Sequence, residues 1–198
     1  MYPLLETIKC RDGILYNLEF HNERFNKARK KQFGIADELD LKSRIEIPEN
    51  CKTGLFRCRV IYADEIEIIE FLSHQIRNIS SLKLVTDNHI DYHLKYANRE
   101  ALQNLFDKRE GCDDILIIKN GCITDSFTAN PVFFDGKTWW TPETPLLPGT
   151  QRARLLREKK ISERRITADD LPKYIMAGLI NALQDLDEMP RVEVKNIY

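Results

Sequence analysis

Lys95 stands in Tyr92-His93-Leu94-Lys95-Tyr96-Ala97-Asn98-Arg99, after a predicted strand and before a predicted helix. Aromatic and apolar neighbours disfavour the charged ammonium. A lysine so lowered in pKa can act as nucleophile and as base, which Schiff-base chemistry needs. Gly149-Thr150, after Pro148, opens a second predicted helix. Backbone N–H groups at such an end, aided by the helix dipole, form a phosphate site. Arg24 lies three residues after His21 on a first predicted helix and can grip a phosphate through two parallel N–H groups. Asp125, in Thr124-Asp125-Ser126-Phe127-Thr128-Ala129-Asn130, ends a predicted strand. A carboxylate there can keep a pyridine nitrogen protonated and make a ring cofactor a better electron sink. Each residue alone has a plainer account: a solvated loop lysine, a Pro-Gly turn, a solvated helix arginine and a turn aspartate.

The elements that must position these residues are legible in outline. Residues 4–10, then Arg11-Asp12-Gly13, then ILYNLEF read as strand, turn and strand. A helix is predicted from His21 to Phe33, with Phe25 and Ala28 inward and Gly34 as its C-cap. Phe56, Cys58, Val60 and Tyr62 alternate as in a half-buried strand, and Ala63-Asp64-Glu65 turns it into another over residues 66–72. A short strand, LKLV, precedes the Lys95 segment. After it comes a helix over residues 98–108, with Ala101, Leu102, Leu105 and Phe106 on one face. DILIIK, Asn120-Gly121 and CITDSF form a hairpin pattern, since Asn-Gly suits a type I′ turn. PVFF, Asp135-Gly136-Lys137 and TWWTP form another. YIMAGLINAL and VEVKNI read as further strands. The fold class is α+β, in two small units: an N-terminal α+β unit over 1–85 and a C-terminal unit over 86–198.

In series, these pieces form a pattern: H-x-x-R at His21/Arg24, K-x-x-N-R at Lys95/Asn98/Arg99, D-x-x-x-x-N at Asp125/Asn130, and L-P-G-x-x-R at 147–152. The order resembles the class IV aminotransferases, the fold-type IV pyridoxal-phosphate enzymes, over nearly the whole chain. Within that family the likeness is to the 4-amino-4-deoxychorismate lyases, through Lys95-Tyr96-Ala97-Asn98-Arg99 and Asn181-Ala182-Leu183. The resemblance implies a pyridoxal 5′-phosphate cofactor lying between the two units, a small-molecule amine substrate and a homodimer. It makes Lys95 the Schiff-base lysine and proton shuttle. Arg24, Gly149, Thr150 and Gln151 would hold the phosphate, Asn181 and Ala182 would support that cradle, and Asp125 would face the pyridine nitrogen. Glu6-Thr7 matches a strand that borders the substrate, so Thr7 is a candidate proton donor and Glu6 a substrate neighbour. Lys9 and Arg99 would offer counter-charge to a dicarboxylate. The reaction implied is release of pyruvate to leave 4-aminobenzoate, a step of folate biosynthesis. The alternative is a branched-chain or D-amino-acid aminotransferase, and a more distant one a member that binds the cofactor without catalysis. Two departures stand out. Aspartate replaces the family's usual glutamate at 125, and the chain starts almost on the Leu4-Leu5-Glu6-Thr7 strand.

Composition excludes other classes. Lysine and arginine number 30 against 31 acidic residues, so no global field favours nucleic acid or an anionic membrane. The basic runs 24–31 and 152–165 are interrupted by Leu155, Leu156, Glu158 and Glu163 and read as solvated helix faces rather than a nucleic-acid module. Cys10, Cys51, Cys58, Cys112 and Cys122 contain no CxxC pair, which suits neither disulfides nor zinc and suggests a reducing compartment. His89 and His93 are four apart but lack the glutamate of H-E-x-x-H, so no metal is expected. No apolar run approaches a membrane span or signal core, and a cytoplasmic location is the expectation.

Overall fold

The computed structural model describes residues 2–198 and divides them into two units. The first comprises the described residues up to Ile76, joined by Leu94–Asn98. It begins with β1 (Leu4–Arg11) and β2 (Ile14–Leu15), joined by Asp12 and Gly13 at φ 50° and 76°. The second strand is much shorter than ILYNLEF suggests. Asn17 adopts a left-handed conformation (φ 56°), and α1 (Leu18–Phe33) starts there, turning Phe20 into the core. Leu18-Glu19-Phe20 are therefore helical, because burial of Phe20 on the helix outweighs a strand pattern of only a few residues. Gly34 ends α1 at φ 75°, its N–H donating to the Lys30 carbonyl at 3.2 Å. A short helix absent from the sequence reading, α2 (Leu41–Arg44), follows, capped by the Asp40 carboxylate.

β3 (Leu55–Tyr62) and β4 (Ile66–Ser73) complete an antiparallel sheet in the order β2-β1-β3-β4. Leu4 lies opposite Tyr62 and Arg11 opposite Leu55, so side chains of like face alternate in step along both strands. Leu4, Ile8, Cys58, Val60 and Tyr62 form the face that packs on Phe25, Ala28 and Leu41. The returning segment adds an edge: Tyr96 bridges Leu4, the Leu5 N–H donates to the Lys95 carbonyl at 2.8 Å, and the Ala97 N–H donates to Pro3 at 2.9 Å.

In the second unit β5 (Leu82–Thr86) runs parallel to β6 (Asp114–Lys119), and α3 (Glu100–Phe106) lies between them in sequence. Leu102 and Leu105 of α3 are buried, whereas Ala101 is exposed. Asn120 and Gly121, at φ 51° and 76°, make the tight turn into β7 (Cys122–Ile123). Regular pairing of β7 stops after two residues, since Thr124 and Asp125 continue along Ile117 by single backbone bonds. The larger sheet contains β8 (Asn130–Phe134) and β9 (Trp139–Pro142), then α4 (Thr150–Arg157) and β10 (Ser162–Arg164), and last β11 (Met176–Ile180) and β12 (Arg191–Glu193). Its order is β10-β9-β8-β11-β12. The run 152–165 is thus helix and then strand, not one helical face. A charged sequence is tolerated in β10 because it is an edge strand. Leu82, Leu116, Ile123, Phe133, Ala177, Leu179 and Val192 form this unit's main core.

Candidate functional site

In the first unit, alternation along β1 points Glu6 to the same side as Leu4 and Ile8, into the core under α1. A fully buried carboxylate there requires partners, and α1 supplies two one turn apart. His21 Nδ1 lies 2.6 Å from Glu6 Oε2. Arg24 donates from Nε to Oε1 at 2.8 Å and from Nη2 to Oε2 at 2.6 Å. Burial opposes ionisation of Glu6, but the Arg24 charge and the hydrogen bonds from His21 and Arg24 outweigh it and hold its pKa at about 2. Burial likewise pushes the His21 pKa down; Glu6 opposes this, and the charges of Arg24 and Lys95 add to it. His21 is therefore a neutral ring donating Nδ1–H to an ionised Glu6. The sequence places Arg24 as a solvated helix residue or a phosphate clamp; the structure engages two of its N–H groups with Glu6. The signal for this was a charged residue at a core position of β1.

Lys95 lies in the segment that pairs with the start of β1, and its charge reaches His21. Tyr96 and Leu94 pack with Leu4 in the core, and the Tyr96 N–H donates to the Leu94 carbonyl at 3.0 Å, closing a tight turn on Lys95. The register of β3 with β1 and with β4 brings Thr7 opposite Arg59, Lys9 opposite Arg57, and Arg59 opposite Glu70 on the face turned away from Glu6. Lys9 is largely buried, with its ammonium 5.6 Å from the centre of the Tyr16 ring. Arg59 pairs with Glu70. Arg57 Nε is buried with no hydrogen-bond partner among the described residues. Arg57 and Arg59 escape a reading of motifs, because only strand register sets them beside Thr7 and Lys9.

In the second unit Asp125 is buried, and its carboxylate gathers the chain that leads to α4. Oδ2 accepts from the Leu146 N–H at 2.5 Å, and Oδ1 accepts from Asn130 Nδ2 at 3.0 Å. Asn130 also donates to the Leu147 carbonyl at 3.0 Å and accepts from the Gly149 N–H at 3.2 Å. Gly149 then caps α4 with backbone alone, and the first turn holds no acidic residue. Thr150 and Gln151 in that turn are buried. A glycine cap and an unopposed helix dipole suit a phosphate, so these residues fit pyridoxal phosphate. Arg152, the last residue of L-P-G-x-x-R, anchors α4 to the sheet by donating to the Pro142 carbonyl at 2.9 Å and to Glu163 at 2.5 Å. Ile180 pairs with Asn130, so Asn181 and Ala182 begin a turn at the same end of the sheet. Asn181 Oδ1 accepts from the Leu183 N–H there. Arg99 precedes α3, with Nη2 donating to the Phe127 carbonyl at 2.6 Å and its guanidinium 4.5 Å from the Phe127 ring centre. His93 lies 2.6 Å from Asp91, and no group of three or more metal-ligating side chains occurs among the described residues. No helix there is long and apolar enough to cross a membrane.

The profile described as amino-transferase class IV matches residues 69–187. The chain belongs to this family. The class IV aminotransferases are pyridoxal-phosphate enzymes, and the mixed sheets and few helices of both units match the fold-type IV architecture. Similarity extends to an uncharacterized protein of Haemophilus influenzae, 38% identical over 94% of this chain and all of that one. A crystal structure described as "a putative 4-amino-4-deoxychorismate lyase" from Haemophilus somnus 129pt has a TM-score of 0.89 and 37% identity. It covers 94% of this chain and 98% of that chain. A structure described as "a hypothetical aminotransferase" from Mycobacterium tuberculosis, in its pyridoxal-phosphate-bound form, shares the fold, with a TM-score of 0.76 at 17% identity, covering 96% of this chain and 80% of that one.

Proposed function

We propose that this enzyme is a 4-amino-4-deoxychorismate lyase, converting that substrate to 4-aminobenzoate and pyruvate as a step of folate biosynthesis. The observation that carries the reading is the face of β1 and β3 that bears Thr7, Lys9, Arg57 and Arg59, with Glu70 paired to Arg59. A substrate with two carboxylates gains from such a face, whereas a branched aliphatic amino acid would leave most of that charge unanswered. The similarity to the Haemophilus somnus protein supports the same reaction.

Bound pyridoxal phosphate supplies an electron sink that acidifies the amine-bearing carbon. Lys95 would hold the cofactor, and its amine would take the proton from that carbon. Thr7, on the face that bears Lys9 and Arg57, donates a proton to the ether oxygen as the enolpyruvyl group leaves. Departure of that group aromatises the ring, which drives the reaction. Lys9 and Arg57 hold the carboxylates. Arg24 and the start of α4 take the phosphate, with Asn181 and Ala182 in support, and Asp125 serves the ring nitrogen. Glu6 contributes by holding Arg24 and His21. The enzyme acts as a homodimer in the cytoplasm.

The test is product analysis. Protein loaded with pyridoxal phosphate is given 4-amino-4-deoxychorismate, and separately a panel of amino donors with a keto acid. Equimolar 4-aminobenzoate and pyruvate are expected. Amino transfer without 4-aminobenzoate would replace the lyase reading with a branched-chain or D-amino-acid aminotransferase.

A further inference from the structure

Asn130 has no part in the chemistry above, yet its side chain is committed in three directions. It is 5% exposed at the start of β8. Its two N–H donations go to acceptors, Asp125 Oδ1 and the Leu147 carbonyl, and its oxygen accepts from the Gly149 N–H. This pattern determines the orientation of the amide, because the reverse would set NH2 against a backbone N–H. It also explains the glycine. Gly149 sits at φ −70° and ψ 147°, a conformation open to any residue, so the backbone does not require glycine. Space does: a Cβ at 149 would lie 2.2 Å from Asn130 Oδ1 and 3.4 Å from its Cγ. Asn130 and Gly149 are thus a matched pair, one filling the volume that the other leaves.

We propose that Asn130 is a positioning residue that joins the Asp125 carboxylate and the N-terminus of α4 into one hydrogen-bonded unit, so that the grip on the cofactor's ring nitrogen and on its phosphate are set together. The inference rests on the assignment of Asp125 and of Gly149–Gln151 to the cofactor. No other common side chain does the same work. Aspartate has the size but would face Asp125 and the Leu147 carbonyl with acceptors, and serine is too short to reach all three partners.

The coupling is read by comparing the binding of pyridoxal 5′-phosphate and of pyridoxal, which lacks the phosphate, to apoprotein by visible absorbance. The ratio of the two dissociation constants measures the phosphate grip alone. Asn130→Asp should shrink that ratio on the order of tenfold, the loss of about one well-placed hydrogen bond at the cradle. Asp125→Asn should shrink it too, although Asp125 is assigned to the ring nitrogen, because an amide cannot accept from both Leu146 and Asn130 as the carboxylate does. Gly149→Ala should impair phosphate binding by itself, and combining it with Asn130→Ser, which vacates the space without restoring the tether, should recover the ratio no further than that of Asn130→Asp. A thermal melt identifies variants that fold, and the paired Gly149→Ala/Asn130→Ser protein serves if Asn130→Asp does not. Folded Asn130 and Asp125 variants that keep the wild-type ratio, beside a Gly149→Ala protein that loses it, overturn the coupling but leave the cradle standing. A Gly149→Ala protein with the full wild-type ratio overturns the cradle assignment and the coupling with it.

Discussion

Replacing Glu6 by glutamine tests the buried network between β1 and α1. The substitution preserves shape but removes an anion on which three donors converge: His21 Nδ1, Arg24 Nε and Arg24 Nη2. An amide offers one oxygen and one NH2, so at least one of those donors meets another donor in a fully buried site. The magnitude follows from linkage. A glutamate of ordinary pKa 4.5 held at about 2 by folding implies on the order of 3 kcal/mol of stabilisation when ionised. Urea unfolding of the apoprotein at pH 7 should therefore show Glu6→Gln less stable by about that amount. The sign with pH is determined. A carboxylate whose pKa falls on folding stabilises above pH 4.5, and that contribution is lost as pH drops from there towards about 2. His21, whose pKa is also lowered from 6.5, works in the same direction, since the unfolded chain takes up its proton first. Wild-type stability should thus decline below about pH 6.5, and the gap to Glu6→Gln should narrow below pH 4.5. A variant within about 1 kcal/mol of wild type at pH 7, with a parallel pH profile, would refute the argument, since a pair that weak is typical of exposed ions.

Lys95→Ala should abolish turnover, and borohydride reduction of the wild-type holoenzyme should leave the cofactor on the peptide containing Lys95; mass spectrometry placing it elsewhere would defeat the assignment. Arg24→Ala should raise the cofactor dissociation constant on the order of 30- to 150-fold, as loss of a charge-assisted phosphate contact implies. It should also lower stability by about 3 kcal/mol, because Glu6 keeps only neutral His21. Unchanged urea unfolding would mean that the Arg24–Glu6 contact is energetically idle. Arg57→Gln should raise KM for 4-amino-4-deoxychorismate roughly tenfold or more with a smaller change in kcat, as loss of one carboxylate contact predicts. Unaltered KM would remove Arg57 from substrate binding.

Much of the local structure was legible in the residues themselves. Asn120-Gly121 specified its turn because both positions need left-handed backbone, and Gly34 marked the end of α1 for the same reason. The order of H-x-x-R, K-x-x-N-R, D-x-x-x-x-N and L-P-G-x-x-R pointed to the family, since chemistry confines residue types at fixed spacings. Short patterns failed where tertiary packing chose between them. Leu18-Glu19-Phe20 could have prolonged a hairpin, but Phe20 gains more by burial on α1, and β10 exists only because β9 offers it an edge. Pairings depended wholly on the folded chain. Strand register, which no local signal encodes, put Glu6 on one face of the sheet with His21 and Arg24, and Thr7, Lys9 and Arg57 together on the other. Sequence spacing determines which side a residue takes along its own element; only long-range backbone pairing decides what it meets there.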